Sequence, residues 1–485
     1  MDPIVVEVPA AFKAAAQCFS RLCEWAESAR QMAAAGEPFA YAELERAFML
    51  GTQAVQCDLH AVVMSAMGEE APRLLIDGVL HRRAVQATTT FYSLAGPVPV
   101  TRWLYRPLEK RDAPTVDPVA LRIGTVAGTW TPGTASAMAF VVQQGPVREA
   151  AQLAPQLGVL PYSAASFHRV TQALGERYEA HQNTIEDALI ARRVVPAHAT
   201  GIALSLDRTA GSFEVPRRRG RGRPKGRRKH PRKRKARGPI ARVWKMIYCA
   251  CWTLHDKDGR AIETVRYGCM PDDDAEYVAA ALLADVAALR AQRPDLLVEV
   301  ICDGAPEMWN LLDGAVAEAG LTDSVRRLVD LWHLLGYVGK ALRARYDETR
   351  ASQELARWKL RLLNQSTAAA RLLKEIRSWG SALRAVDVGG AEAVADAITY
   401  LTNQIAAGRV DYAAARRAGQ PVGSGHVEAT CKSLVGVRFK RPGARWKPTS
   451  GGLLMLLRAV ALSGRWAATM DLLHGLGQHD IRKVA

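Results

Sequence analysis

Leu297-Val298-Glu299-Val300-Ile301-Cys302-Asp303-Gly304 is the stretch on which the fold turns. It is rich in β-branched and apolar residues and is bounded by Pro294 and Gly304. Such a run reads as a buried central strand. Asp303 then falls at the strand's carboxyl end, the edge where open α/β sheets gather their sites.

A shorter run, Ala203-Leu204-Ser205-Leu206-Asp207, also ends in a single carboxylate. Farther on, Pro421-Val422-Gly423-Ser424-Gly425-His426-Val427-Glu428-Ala429-Thr430-Cys431-Lys432 puts a Gly-Ser-Gly turn in front of a helix. Glu428 lies in that helix's first turn, and Lys432, four residues later, shares its face. Three carboxylates on three elements can bridge two magnesium ions roughly 4 Å apart, activating an attacking oxygen and stabilising the leaving oxygen of a phosphodiester. Magnesium suits such a set because hard cations prefer oxygen ligands. Taken singly, each acid has a plainer reading: a strand-ending Asp is a turn residue, and a first-turn Glu answers the helix dipole. The combination favours the metal site.

The order Asp207, then Cys302-Asp303-Gly304, then Gly423-Ser424-Gly425-His426-Val427-Glu428-Ala429 with Cys431-Lys432, and Arg445-Trp446 beyond, resembles the bacterial insertion-sequence transposases of the ISKra type. Asp330-Leu331-Trp332-His333 is similar to the Asp/Cys-x-x-His motif of that group and of Mutator-like transposases. The resemblance covers roughly residues 200 to 465 and implies a DDE enzyme with an α/β, RNase H-like core. That core is a mixed sheet flanked by helices, with an all-helical insertion and a largely helical N-terminal region. It further implies Asp207, Asp303 and Glu428 as catalytic and metal-binding residues, His333 as an auxiliary residue near the scissile phosphate, and Mg2+ as cofactor with Mn2+ as a substitute. On its residues alone, His333 reads as a satisfied histidine on an apolar helix. The implied activity is strand cleavage at element ends followed by strand transfer into target DNA. Two other classes fit the same residues: a catalytically inactive, domesticated DNA-binding protein, and a metal-dependent nuclease that cuts without joining.

The charge agrees with a nucleic-acid partner. Of a formal net charge of +17, 14 units come from the Arg and Lys side chains between Arg217 and Arg237, a stretch with no acid. Without apolar side chains it builds no core, and like-charge repulsion keeps such a run extended. Arg221-Gly222-Arg223-Pro224 within it resembles the AT-hook, in which glycine allows close approach and arginines meet the negative potential of a narrow minor groove. Arg219, Arg221, Arg223, Lys225 and Arg227 are therefore candidate DNA contacts, with sequence-independent phosphate binding as the other reading. The run is expected to interrupt the catalytic domain over 216–239, between Asp207 and a strand at Arg242–Trp252 that an RNase H-like core would place beside the first strand.

With 485 residues and 49% hydrophobic content, the chain can bury a large core in two or three domains. No apolar run has the length of a membrane span, and the N-terminus lacks the blocks of a signal peptide. The expected location is cytoplasmic and nucleoid-associated, with no membrane partner. The eight cysteines offer no Cys-x-x-Cys pair. That departs from the zinc-ribbon-like segment common in the resembled family, and a metal-free β-rich module around Val98–Arg106 is expected in its place.

The expected organisation is a helical region over 1–95, a small β-containing module with a helix-turn-helix over 96–200, a catalytic domain over 201–465 and a C-terminal tail over 466–485. The N-terminal helices are expected to pack or dimerise, giving a homodimer or higher oligomer. In the helix-turn-helix, Ser163 would cap a helix presenting Ser166, His168 and Arg169 to DNA, although a plain helical linker fits equally. Residues 334–420 read as the helical insertion, whose Arg343, Arg345, Arg371 and Arg377 either line a DNA path or form a solvated face. Lys432 is a candidate for the scissile phosphate. Arg445 and Trp446 lie in a basic, aromatic loop suited to phosphate and base contact, with a core anchor as the alternative for Trp446. Asp272-Asp273-Asp274 reads as a helix start and not as a metal site.

Overall fold

Alanine- and leucine-rich periodicity over the first 70 residues produces two helices, α1 (Lys13–Ala34) and α2 (Tyr41–Ala66), which pack on one another as a hairpin. Gly36, at φ 72°, turns the chain after α1. The alternating stretch near residue 100 is a strand: β1 (Arg73–Ile76), β2 (Val79–Tyr92) and β3 (Pro97–Pro107) form an antiparallel meander. Among the helices that follow, α3 (Pro132–Gln144), α4 (Val147–Gln156) and α5 (Ala164–Ala180) are mutually packed. Ser163 caps α5 by accepting the Ser166 N–H at 3.2 Å. Phe167 and Val170 are buried in that packing, while His168 and Arg169 are exposed.

The computed structural model describes residues 5–109, 112–216, 240–271, 273–383 and 388–484. It divides into two units, Met1–Ile185 with Ala467–Ala485, and Glu186–Trp466. Two boundaries differ from the sequence expectation. The β-meander begins at Arg73 and so crosses the division drawn at 95/96. The segment from 466 is no tail either, because Ile481–Val484 pairs antiparallel with β1 and becomes the fourth strand of the first unit's sheet. Four residues carry no local signal for a partner some 400 positions away, so the pairing is decided by tertiary structure.

The second unit is built on β4 (Ala199–Pro216), β5 (Ile240–Asp256), β6 (Ala261–Cys269), α6 (Ala275–Gln292), β7 (Leu297–Cys302), α7 (Pro306–Glu318) and β8 (Val325–Val329). Its sheet has the order β6-β5-β4-β7-β8. The pairs β4/β5 and β5/β6 are antiparallel, whereas β4/β7 and β7/β8 are parallel. The class is therefore α/β with a mixed sheet. One apolar core joins the sheet to α6 and α7. The helix start at the acidic cluster holds: Asp274 caps α6 by accepting the Glu276 N–H at 2.9 Å, while Asp272 lies outside the described residues.

After β8 the chain is helical through α8 (Leu331–Arg345), α9 (Glu348–Asn364), α10 (Ala368–Leu383), α11 (Val388–Ala406) and α12 (Tyr412–Arg417), and these pack a second core centred on Ile301, Leu334 and Trp358. Next comes α13 (Gly425–Thr430), which runs without a break into a π-helical turn, Cys431–Gly436, and a last helical turn, Val437–Phe439. Finally α14 (Pro448–Leu462) buries its Leu453, Leu454 and Met455.

One residue of β7 violates the apolar pattern. Glu299 is 0% exposed, and neither carboxylate oxygen has a hydrogen-bond partner among the described residues. Burial pushes its pKa up to about 8, against a smaller opposing pull from Arg326, its cross-strand neighbour on β8. Among the described residues, no helix is long and apolar enough to cross a membrane.

Candidate active site

The register of the parallel strands brings the first two acids together. Leu204 on β4 pairs with Val300 on β7, and three residues farther along each strand stand Asp207 and Asp303. The strands remain adjacent at that level, since the Cys302 thiol donates to the Leu206 carbonyl at 3.3 Å. The same row extends one strand further: Cys302 pairs with Val329 on β8, and the next residues are Asp303 and Asp330. Asp303 and Asp330 thus follow the carboxyl ends of β7 and β8, and Asp207 stands level with them inside β4, three residues past the last residue that β4 pairs with β7.

Each member of the row has a different environment. Burial raises the Asp207 carboxyl above its ordinary range; the Arg208 backbone N–H, at 2.7 Å, lowers it, and the nearby charge of Asp303 raises it again. Asp303 accepts the Ala305 N–H at 2.9 Å, and its backbone carbonyl accepts the Tyr400 hydroxyl at 2.7 Å. Gly304, at φ 96°, permits that approach, for a Cβ there would stand 2.6 Å from Tyr400 Oη. Asp330 is fully buried and is occupied structurally. One oxygen accepts the His333 N–H at 2.9 Å, and the other accepts both the Ser424 backbone N–H and its hydroxyl, the latter at 2.7 Å.

That last contact delivers the third element. Ser424 sits in the Gly423-Ser424-Gly425 turn, so Asp330 pins the start of α13 against the end of β8, helped by a Leu331 N–H bond to the Val422 carbonyl at 3.0 Å. The π-helical turn then carries Cys431 inward, with Sγ 3.6 Å from Asp207 Oδ2. Wide helical turns of this kind occur often at functional sites because they re-aim one residue. Glu428 lies one turn before Cys431, but its own carboxylate pairs with Lys432 at 3.6 Å. Among the described residues, no group of three or more His, Cys, Asp or Glu side chains is gathered as a metal cluster. Of the three expected acids, Asp207 and Asp303 stand at one level of adjacent strands, and the Glu428 carboxylate pairs with Lys432 on a helix whose Cys431 reaches Asp207.

The donor chemistry around the pair suits a hard cation. Cys249, the cross-strand partner of Asp207, has its thiol pushed well up by a hydrogen bond with Cys431 and by burial, and burial does the same to Cys302. The carboxylate oxygens of Asp207 and Asp303 are donors of the kind a hard cation takes. Glu307, in the first turn of α7, is already paired with Arg208 and the Tyr248 hydroxyl.

The remaining sequence candidates fall as follows. His333 is exposed in the first turn of α8, and its charge acts on Asp207. Arg445 pairs with Glu214 at 3.3 Å. Trp446 is an anchor: its ring lies 4.6 Å from that of Phe439, its indole N–H donates to the Phe439 carbonyl at 3.2 Å, and Arg438 covers it. Of the insertion arginines, Arg343 pairs with Glu348 and Arg377 donates to Thr402. Arg169 belongs to the first unit. Arg219, Arg221, Arg223, Lys225 and Arg227 lie outside the described residues. Asp330, the first residue of the Asp-Leu-Trp-His motif, ends an apolar run, Leu328-Val329, as Asp207 and Asp303 do.

No protein-family model matches this chain, and no curated protein matches it in sequence.

Proposed function

We propose that the second unit is the RNase H-like catalytic core of a DDE transposase of the ISKra type, acting on DNA with Mg2+. The observation that carries this reading is the in-register placing of Asp207, within β4, and Asp303, just past the end of the parallel strand β7, with Cys431 of the helix that bears Glu428 in contact with Asp207. The pairing of β5 beside β4 supports it as well, because the resembled core sets those strands side by side. So does the stretch between β8 and Gln420, whose regular elements among the described residues are all helices.

In this reading Asp207 and Asp303 would hold the metal ions, with Glu428 as the third carboxylate. The chemistry such ions would supply is activation of an attacking oxygen and stabilisation of the leaving oxygen of the phosphodiester. Asp330 keeps the Ser424 turn, and hence Glu428, in position. Lys432, freed from Glu428, contacts the scissile phosphate.

The test uses duplexes carrying the inverted ends read from the genomic DNA flanking the coding region, with target DNA and Mg2+, and follows cleavage and joining separately. Both products are expected from the parent and neither from Asp303→Asn. Cleavage without joining would make the protein a nuclease; binding without either product would make it an inactive DNA-binding protein.

A further inference from the structure

The pairing of β4 with β5 continues far beyond the sheet. β7 pairs with β4 only over Gly201–Leu204, and β6 pairs with β5 only from Tyr248 onward. Residues 208–216 and 240–247 therefore form a two-stranded ribbon that projects past Asp207. Nine residues at about 3.3 Å each make an arm of roughly 30 Å, the length of about nine base pairs.

The two faces of this arm differ. Phe213, on the face shared with Asp207, is 1% exposed, and the Glu214 N–H bonds the Trp446 carbonyl at 2.8 Å. The opposite face carries Arg242, Trp244 and Met246, with Ser212 directly across from Trp244 and Glu214, already paired with Arg445, across from Arg242. Trp244 is 68% exposed and Met246 38%. A large indole in water on this outer face is costly unless something covers it.

We propose that this face docks duplex DNA in the major groove, at a fixed distance from the Asp207–Asp303 pair. The argument for that occupant is charge: the chain leaving Pro216 and returning at Ile240 holds 14 Arg and Lys residues and no acid. Its flanking residues, Pro216 and Ile240, pair at the ribbon's tip, four residues along β5 from Trp244. A two-stranded ribbon fits the major groove, where an apolar ring meets thymine methyl groups and Arg242 meets phosphate or guanine. The inference rests on the proposed function only for its partner, DNA.

The experiment measures binding of the full chain to a labelled duplex of about 30 base pairs over a range of salt. Trp244→Ala is expected to weaken binding about ten-fold at every salt concentration, with the salt dependence unchanged and Trp244→Phe restoring most of the affinity. Arg242→Ala should reduce the salt slope by about one. Binding by Trp244→Ala within about two-fold of the parent overturns the proposal. A change in oligomeric mass with unchanged DNA binding also overturns it, and assigns the face to a second copy of the chain. Cleavage separates the two readings. If Trp244→Ala binds as the parent while Asp303→Asn abolishes cleavage, the ribbon inference alone fails. If no variant cuts but Trp244→Ala loses affinity, the ribbon stands and the transposase reading fails.

Discussion

The buried carboxylate of Asp330 accepts three hydrogen bonds, from the Ser424 N–H, the Ser424 hydroxyl and the His333 N–H, and so ties a loop just ahead of α13 to the first turn of α8. A buried carboxylate held by donors from two elements fixes their mutual position more sharply than apolar contact does, because each donor has a preferred direction.

Removing that carboxylate leaves buried donors unpaired. Asp330→Ala is expected to lower stability to denaturant by about 3 kcal/mol or more, and Ser424→Ala by about 1 kcal/mol. If Asp330 acts only on stability, Ser424→Ala keeps full activity. As a positioning residue for Glu428 it predicts that Ser424→Ala loses turnover while the fold survives.

Asp207 and Asp303 are two acids whose proximity and burial disfavour ionisation of Asp207. Replacing either by Asn relieves that cost, so Asp207→Asn and Asp303→Asn should melt at or above the parent temperature in chelator. Added Mg2+ should raise the melting temperature of the parent and leave both variants unmoved. The folded-state pKa of Asp207 is raised, so its protonated form is favoured at low pH, and Mg2+ affinity should increase as pH rises through its titration. Calorimetric titration with the metal at several pH values checks this.

Glu299 makes a stability prediction with a definite pH window. Its carboxyl is raised from 4.5 to about 8, so the folded state prefers the proton. The contribution is complete below the unfolded value and is lost as pH rises through about 8, with a slope of at most about 1.4 kcal/mol per pH unit. Glu299→Leu should flatten that slope and stabilise the protein by about 1 to 3 kcal/mol at neutral pH, as read from urea unfolding between pH 5 and 9.

Lys432 and Glu428 form an exposed i,i+4 pair, with side chains 79% and 43% accessible. Lys432→Ala should therefore change stability by no more than about 0.5 kcal/mol. Cleavage should nevertheless fall by about a hundred-fold, with Mg2+ binding intact. Loss of metal binding in this variant would show that Lys432 orders the acids and does not contact phosphate.

Local pattern determined much of this protein. The β7 strand, the Asp274 helix start, the strand at Val98–Arg106, the capped helix at Ser163 and the helical run after β8 all follow from periodicity, β-branching and capping chemistry acting within a few residues of one another. What sequence could not settle was register and partner. That Asp207, Asp303 and Asp330 stand in one row depends on how three strands slide against each other, and a shift of one residue would turn the carboxylates to the opposite face. The return of Ile481–Val484 to β1, the Ser424 bond to Asp330 and the π-helical turn that aims Cys431 at Asp207 likewise join residues far apart in the chain. Contacts of that kind are chosen by the packing of the whole core, because backbone and buried polar groups must find partners once water is excluded.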